Sequence, residues 1–358
     1  MATQDHPNRL YGMHLSSLIS FPLTLRAAIQ LDVFQIIADA GPESHLSSSE
    51  IAAKLPTTNS HAPAILDRIL RVLAANNALT MSRRASQSNK TEWVYGLTSG
   101  SRSLVKGDED GVSMASLVLL CTDRTIVESF YCLEETVIEG GCTPYERAHG
   151  KDLYGYAAKD PSYGKFLQEA MSNCTTIIIK EVLKVYGGFD GVKKMVDVGG
   201  GSGTCLSLIV SKYPHIQGVN FDLPQAISLA PQFPGVEHVA GNMFEVVPSS
   251  EAIFMRGVLH NWDDDQCVKL LRNCWNALPN GAMVIDVDVA VPDPLGTDEM
   301  SRLTSGFDLL MMSFCSGGKE RTLSEYCDLA RAAGFAEMKA FPVVHGFHVM
   351  EFHKAHVN

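Results

Sequence analysis

Met195-Val196-Asp197-Val198-Gly199-Gly200-Gly201-Ser202-Gly203 is the stretch on which the reading of this chain turns. An apolar, β-branched strand ends beside an acid and runs straight into glycines, where backbone N–H groups can approach a ligand that any Cβ would block. The glycines follow the pattern G-x-G-x-G. A dinucleotide fingerprint needs a further glycine at Thr204 or Leu206, and neither position carries one. The next strand, Val219-Asn220-Phe221-Asp222, ends in a second acid placed to accept from two ribose hydroxyls. The combination suits an adenosine without a pyrophosphate, and S-adenosylmethionine is the candidate. A bare surface turn would need neither the strand before it nor the acid after it.

Composition sets the class around that turn. The 358 residues suit two domains, or one large domain with an appendage, and 46% hydrophobic with 19% charged residues describes an ordinary globular chain. There is no apolar run of transmembrane length and no basic-then-apolar leader, which predicts a cytoplasmic protein without a membrane partner. A net charge of −11 argues against nucleic acid as the main partner. The nine cysteines are an odd number without a C-x-x-C pair, which fits reduced thiols better than disulfides or a zinc site.

Three regions separate along the chain. In residues 1–107, Leu23, Ala27, Leu31, Phe34 and Ile37 form a helical stripe, Ser47 and Glu50 mark a helix start, and Ile65–Leu73 continue as helix. Arg83–Lys90 reads as a polar, mobile loop before a strand at Trp93–Thr98. Three helices with a β-ribbon suggest a winged helix. Residues 108–190 are mostly helical, broken at Gly140-Gly141 and Asp160-Pro161. From 191 to 358 strands at 195–198, 217–221, 236–239, 252–256 and 282–290 alternate with helices, which predicts an α/β, doubly wound, Rossmann-like sheet.

A doubly wound sheet holds ligands at the carboxyl ends of its strands. Walking those ends yields Asp222 and Leu223, then Asn242, Met243 and Phe244 for an adenine ring, then Arg256 and His260. An imidazole with a pKa near ~6.5 is the best general base available at neutral pH, and a phenol needs one. His260 could equally cap the helix that follows. Asp288 and Glu320 could orient the ring. Asp286 and Asp288 also read as edge-strand charges, and Glu320 as a helix-start residue beside Thr322. Asp263-Asp264-Asp265 fits a helix N-terminus better than a cation site. His345, His348 and His353 are spaced for a strand, not a ligand cage.

With these residues in hand, the chain resembles the plant S-adenosylmethionine-dependent O-methyltransferases, near the caffeate and 5-hydroxyferulate type. The motifs that carry the likeness are Val196–Gly201, Asn220-Phe221-Asp222-Leu223-Pro224, Gly235–Val239 and Gly317-Gly318-Lys319-Glu320-Arg321-Thr322. It extends from Phe21-Pro22-Leu23-Thr24 through Leu66-Asp67-Arg68 to Met350-Glu351-Phe352. The resemblance implies a homodimer joined through the N-terminal domain, and a helical connector lining the substrate pocket. It implies a metal-independent reaction with His260 as base between Asp288 and Glu320. It also implies cofactor contacts at Gly199, Asp222, Asn242, Met243 and Arg256, with Met171 and Met311 gripping the substrate ring.

Several positions depart from that pattern. Asn242 stands for a usual Asp, Arg256 for Lys, Asn261 for Asp and Gly257 for Trp, while Cys121 and Cys315 replace two Asn residues that bind the ring's para oxygen. Losing those polar groups relaxes the demand for that oxygen. The expected acceptor is therefore a phenolic plant secondary metabolite that need not be a lignin precursor: a phenylpropanoid, hydroxycoumarin, flavonoid, alkaloid phenol or hydroxyindole. The rivals are a methyltransferase acting on nitrogen or carboxylate, an NAD(P)-dependent dehydrogenase, and a winged-helix DNA-binding regulator. The last is disfavoured because residues 1–107 carry only 10 Lys+Arg against 7 Asp+Glu.

Overall fold

The computed structural model describes residues 6–85, 91–107 and 111–356. The chain forms two compact units. One runs to Ile126 and includes Glu169–Cys174; the other comprises Val127–Gln168 and the chain from Thr175 onward.

In the first unit, helices Ser20–Gln30, Val33–Asp39, Ser48–Ala52 and Ala62–Ala75 pack with a three-stranded antiparallel sheet. Its strands are β1 (Leu46–Ser47), β2 (Leu79–Ala85) and β3 (Thr91–Leu97), in the order β1-β3-β2. Phe34 and Ile37 of the expected stripe enter a core with Ile51, Leu70, Leu73 and Tyr95. Leu23 and Leu31 remain exposed: the helix Ser20–Gln30 buries Ala28 and Ile29 instead, and Asp32, at φ 54°, interrupts the stripe before the next helix starts. The Ser47 start is a full capping box: Glu50 N–H donates to Ser47 Oγ at 3.3 Å and Ser47 N–H donates to Glu50 Oε2 at 2.7 Å. The expected loop at Arg83–Lys90 needs correction at its start. Arg83, Arg84 and Ala85 continue β2 opposite Trp93, Glu92 and Thr91, with Arg84 paired to Glu92 at 3.0 Å and to Glu50 at 2.6 Å. Cross-strand charge pairing holds them in the ladder. The rest of that loop, 86–90, lies outside the described residues.

The second unit is built on β4 (Lys194–Val198), β5 (Gln217–Asp222), β6 (Val236–Ala240), β7 (Ala252–Arg256), β8 (Met283–Val291), β9 (Arg321–Thr322), β10 (Glu337–Val344) and β11 (Phe347–His353). The sheet order is β10-β11-β8-β7-β4-β5-β6, with β9 pairing to the end of β8. Strands β4 to β8 run parallel; β4, β5, β7 and β8 are largely buried, as parallel strands between helix layers must be, while β6 closes the edge with Glu237 and Ala240 exposed. Leu270, Leu271 and Cys274 of helix Asp264–Ala277 pack with Tyr326 and Leu329 of helix Leu323–Ala333 against Ile253, Met255 and Val284.

The chain winds from β4 outward through β5 and β6, then returns to the other flank of β4 for β7 and β8. The reversal places the crevice at the carboxyl ends of β4 and β7, where the glycine turn and His260 both emerge. The C-terminal histidines belong to the sheet: His348 and His353 lie on β11, between β10 and β8, and His345 sits in the turn before it. All nine cysteines are free. Among the described residues, no single helix is long and apolar enough to cross a membrane.

A second capping box anchors the helix behind the crevice. Thr322 Oγ1 accepts from Glu325 N–H at 3.2 Å, and Glu325 Oε2 accepts from Thr322 N–H at 2.8 Å. Thr322→Val should lower stability by about 1 kcal/mol, and Thr322→Ser should keep most of it, read as urea midpoints at unchanged m-value.

Candidate active site

The glycine turn takes its shape from three left-handed residues, Gly199, Gly201 and Gly203, at φ 72°, 56° and 82°. Gly203 opens helix Thr204–Lys212. Gly199 N–H donates to Phe221 O at 2.9 Å, tying the turn to β5. Asp222 closes the tie: its Oδ2 accepts from Gly201 N–H at 2.8 Å and its Oδ1 from Leu223 N–H at 2.6 Å. Each carboxylate oxygen keeps a lone pair for a further donor. Below the turn there is no room. A Cβ on Gly199 would lie 2.9 Å from Val258, and one on Gly200 would strike Asn220 and Asp197. Beside Gly201 nothing lies within 4 Å of a Cβ, so the turn is closed beneath and open above. This is the geometry an adenosine requires, and the residues fit that ligand.

The adenine candidates are ordered by one another. Asn242 Oδ1 accepts from Phe244 N–H at 3.0 Å, while its Nδ2 donates to Glu245 Oε1 at 3.0 Å. Met243 O accepts from Asn273 Nδ2 at 2.9 Å, and Phe244 stands edge-on to Trp262 at 4.7 Å between centroids. Leu223 is partly exposed beside Asp222.

His260 sits in the single turn Leu259–Asn261 that follows β7. Its Nδ1 lies 3.0 Å from Glu320 Oε1 and 3.6 Å from Asp288 Oδ1. The alternative readings of these residues fall on burial and capping. Asp286 and Asp288 are fully buried on β8, an interior strand, so neither is an edge charge. Glu320 is 4% exposed, and the helix start beside it is made by Glu325. The cap of the helix after His260 is Asp263, whose Oδ1 accepts from Gln266 N–H at 2.8 Å.

Two carboxylates facing Nδ1 fix the tautomer: Nδ1 carries the hydrogen and Nε2 is left to accept. Burial alone would lower the imidazole's pKa. The charge of Asp288 and the hydrogen bond to Glu320 outweigh it, with Arg256 opposing them, and the net direction is upward. Burial pushes Asp288 up to about 6, against the pull of the imidazole. Gly257, at φ 64°, stands next to Nε2: a Cβ there would lie 3.4 Å from it.

Arg321 holds this turn, a role that sequence reasoning did not find. Only 1% exposed, it reaches Asp264 Oδ1 through Nε at 2.9 Å and Nη2 at 2.7 Å. It also donates to the carbonyls of Leu259 at 3.0 Å and Trp262 at 2.8 Å, on either side of His260. Lys319 N–H donates to His260 O at 2.8 Å, and Glu320 N–H to Asp308 Oδ1 at 2.9 Å. An arginine between Glu320 and Thr322 carries no sequence signal for burial, because charged residues are exposed by default.

The expected acceptor-side residues divide between the units. Asn261 and Cys315 meet in the second: Cys315 Sγ donates to Asn261 Oδ1 at 3.3 Å, and Asn261 Nδ2 donates to Gly257 O at 3.0 Å. Met311, half-buried on helix Glu299–Phe314, accepts the Cys315 N–H at 3.0 Å. Arg256 Nη1 donates to Thr175 Oγ1 at 3.0 Å. Cys121 and Met171 belong to the first unit; burial, with Cys174 adding to it, pushes the Cys121 thiol up to about 12.

Arg321→Ala should destabilise the chain by about 3 kcal/mol, since Asp264 and the carbonyls of Leu259, Trp262 and Lys319 lose a buried donor, and Arg321→Lys should fall between, lacking the fork. Urea unfolding of the two variants checks the order.

Two family models match the chain: an O-methyltransferase domain over residues 130–336 and an O-methyltransferase dimerisation domain over 13–107. It is 50% identical to (S)-scoulerine 9-O-methyltransferase of Coptis japonica over 354 residues, 99% of this chain and 91% of that one. It is 44% identical to caffeic acid 3-O-methyltransferase of Eucalyptus gunnii over 350 residues, 98% and 95% of the two chains. Desmethyl-yatein O-methyltransferase of Sinopodophyllum hexandrum is 43% identical over 343 residues, 96% and 97%. In fold, the chain is similar to human N-acetylserotonin methyltransferase in complex with SAM (TM-score 0.78, 19% identity, 99% of both chains). It is also similar to the calicheamicin-biosynthesis methyltransferase CalO1 in its SAH-bound form (TM-score 0.80, 22% identity, 98% and 99%). The glycine turn, the doubly wound sheet and near full-length identity to named relatives converge: the chain belongs to the O-methyltransferase family.

Proposed function

We propose that this chain methylates a phenolic hydroxyl of a plant secondary metabolite, using S-adenosylmethionine as donor and His260 as general base without a metal ion. The observation that carries the base assignment is the pinned imidazole, with Nδ1–H held by Glu320 and Asp288 and Nε2 left as the acceptor. When bound, S-adenosylmethionine supplies an electrophilic methyl on a sulfonium. Gly199, Asp222, Leu223, Asn242, Met243 and Phe244 would hold its adenosine, with Arg256 nearby at the end of β7. His260 Nε2 takes the phenol's proton, which a hydroxyl of pKa about 10 would otherwise keep at neutral pH. Asp288 and Glu320 stabilise the imidazolium that forms. A carboxylate acceptor would need no base, so this arrangement favours the phenol. The relatives named for caffeic acid and scoulerine support the same class.

The same triad supports a second reading. One ligand atom each from His260, Asp288 and Glu320 lie within 4.8 Å of one another, close enough to hold a metal ion. The metal-free reading is favoured because a cation on Nδ1 would displace the hydrogen that Glu320 accepts at 3.0 Å, with the Asp288 charge 3.6 Å away. A homodimer is proposed from the matched dimerisation domain and from the exposed apolar side chains Tyr11, Met13, Leu18 and Ile19 at the start of the first unit. Ile19→Asp should shift the chain from dimer to monomer in light scattering.

Incubation with labelled S-adenosylmethionine and a panel of phenols, with and without a strong chelator, tests the reaction. Transfer should survive chelation, and loss of activity restored by a divalent ion would establish the metal reading instead. His260→Ala should lower kcat by about 10²- to 10⁴-fold while leaving S-adenosylhomocysteine binding intact. Activity should rise with pH as the imidazole loses its proton, with a midpoint above the ordinary ~6.5. Glu320→Gln should move that midpoint down, since it removes a charge that holds the proton. A variant profile unmoved from wild type would overturn the role given to Glu320.

A further inference from the structure

Asp197 on β4 and Asn220 on β5 pair directly across the sheet beneath the glycine turn, and both are buried to within 1%. A Cβ on Gly200 would fall 2.6 Å from Asp197 Oδ2 and 2.1 Å from Asn220 Oδ1, so the two oxygens converge on one point under the turn. Neither has a hydrogen-bond partner among the described residues. Two buried acceptors facing each other without a donor would be costly to keep.

The amide cannot be reversed to relieve this. Asn220 Nδ2 donates to Gly201 O at 3.0 Å and to His238 Nδ1 at 3.1 Å. Turning it round would set Oδ1 against the Gly201 carbonyl. His238 Nδ1 is thereby an acceptor, its hydrogen sits on Nε2, and Nε2 donates to Pro231 O at 2.9 Å. Every hydrogen in this chain is then assigned, and the remaining donor must come from the carboxyl group.

We infer that Asp197 is a neutral carboxylic acid whose Oδ2–H donates to Asn220 Oδ1, and that this buried proton positions the glycine turn for its nucleoside ligand. The groups facing Asp197 agree with that state. Asp222 on β5 adds negative charge, His238 on β6 is engaged by Asn220 and Pro231, and Phe254 is the residue opposite on β7. Burial, with the Asp222 charge adding to it, pushes the Asp197 carboxyl up to about 8. Ionisation would set a carboxylate against Asn220 Oδ1 and loosen the amide that holds Gly201. The folded-state pKa lies above the ordinary ~3.9, so the contribution to stability is full below pH ~4 and declines as pH rises toward 8.

The ligand part of the inference rests on the cofactor reading above, and the test separates the two. Wild type, Asp197→Asn and Asp197→Ala are compared by calorimetric binding of S-adenosylhomocysteine from neutral to alkaline pH. The infrared difference spectrum of each variant against wild type is recorded without ligand. Wild-type affinity should weaken about tenfold across the ionisation. Asp197→Asn, whose Nδ2–H replaces the acid hydrogen, should keep affinity within about threefold and lose the pH dependence, whereas Asp197→Ala should be about tenfold weaker at every pH. The infrared difference should show a buried carboxylic-acid carbonyl band in wild type that Asp197→Asn lacks. Absence of that band, a flat wild-type profile, or an Asn variant as weak as the Ala variant would each overturn the proposal. Failure of all three proteins to bind S-adenosylhomocysteine would sink the cofactor reading and leave the infrared band to decide this one.

Discussion

The hydrogen on His260 Nδ1 is the point on which this structure turns, because it lies between two carboxylates that the fold has removed from water. Glu320 and Asp288 are almost wholly buried, and Asp286 lies two residues from Asp288 on the same face of β8. Three acids in a dry region cannot all be ionised without nearby cations. Burial, then the charges of Asp288 and Glu320, push the Asp286 carboxyl well above the ordinary range, with Arg321 opposing them. Asp288 and Glu320 are left to serve the imidazole. Arg256 supplies positive charge from the other side, depressing Asp288 and His260 alike.

Donor and acceptor halves of the crevice are built from the same device. A buried parallel strand ends, a left-handed glycine turns the chain, and a side chain or N–H group is presented at the rim. Gly199 follows β4 and Gly257 follows β7, two strands that are neighbours in the sheet. Their adjacency converts two local turns into one site. Each turn is then backed by buried polar side chains. Asp197 and Asn220 underlie the glycine turn, and Arg321 grips the carbonyls flanking His260. Such supports decide whether a site is held to a fraction of an ångström.

The sheet was legible because parallel strands are written as short apolar runs between helices, and the strands expected from Met195 to Ala290 all appear. The position of His260 was legible by walking the strand ends, and Asp288 and Glu320 entered as acids that could orient it. What escaped was set by tertiary contact. The stripe from Leu23 to Ile37 was broken by a left-handed Asp32, which no periodicity announces. Arg83 and Arg84 look like loop residues until Glu92 and Glu50 are brought beside them. Arg321 was visible only as a letter in a motif. Its burial depends on three acceptors separated from it by about sixty residues, a relation carried by the fold alone.

The wall beside the base bears on acceptor choice through what it no longer asks for. Asn261 gives one of its two amide hydrogens to Gly257 O and takes the thiol hydrogen of Cys315 on its oxygen. Burial, with Asp152 adding to it, pushes that thiol up to about 12, so it stays a weak donor with its hydrogen already committed. A site whose polar groups satisfy one another does not reject a ring that lacks a matching hydroxyl, whereas a site with waiting donors does. Gly257 removes a side chain next to Nε2 as well. At these positions the thiol hydrogen and one amide hydrogen are taken up within the wall itself. Relatives that share near full-length identity are named for acceptors as different as caffeic acid and scoulerine. Around His260 the wall therefore combines a polar pair that is bonded within itself with open space at Gly257, and both follow from the turn that ends β7.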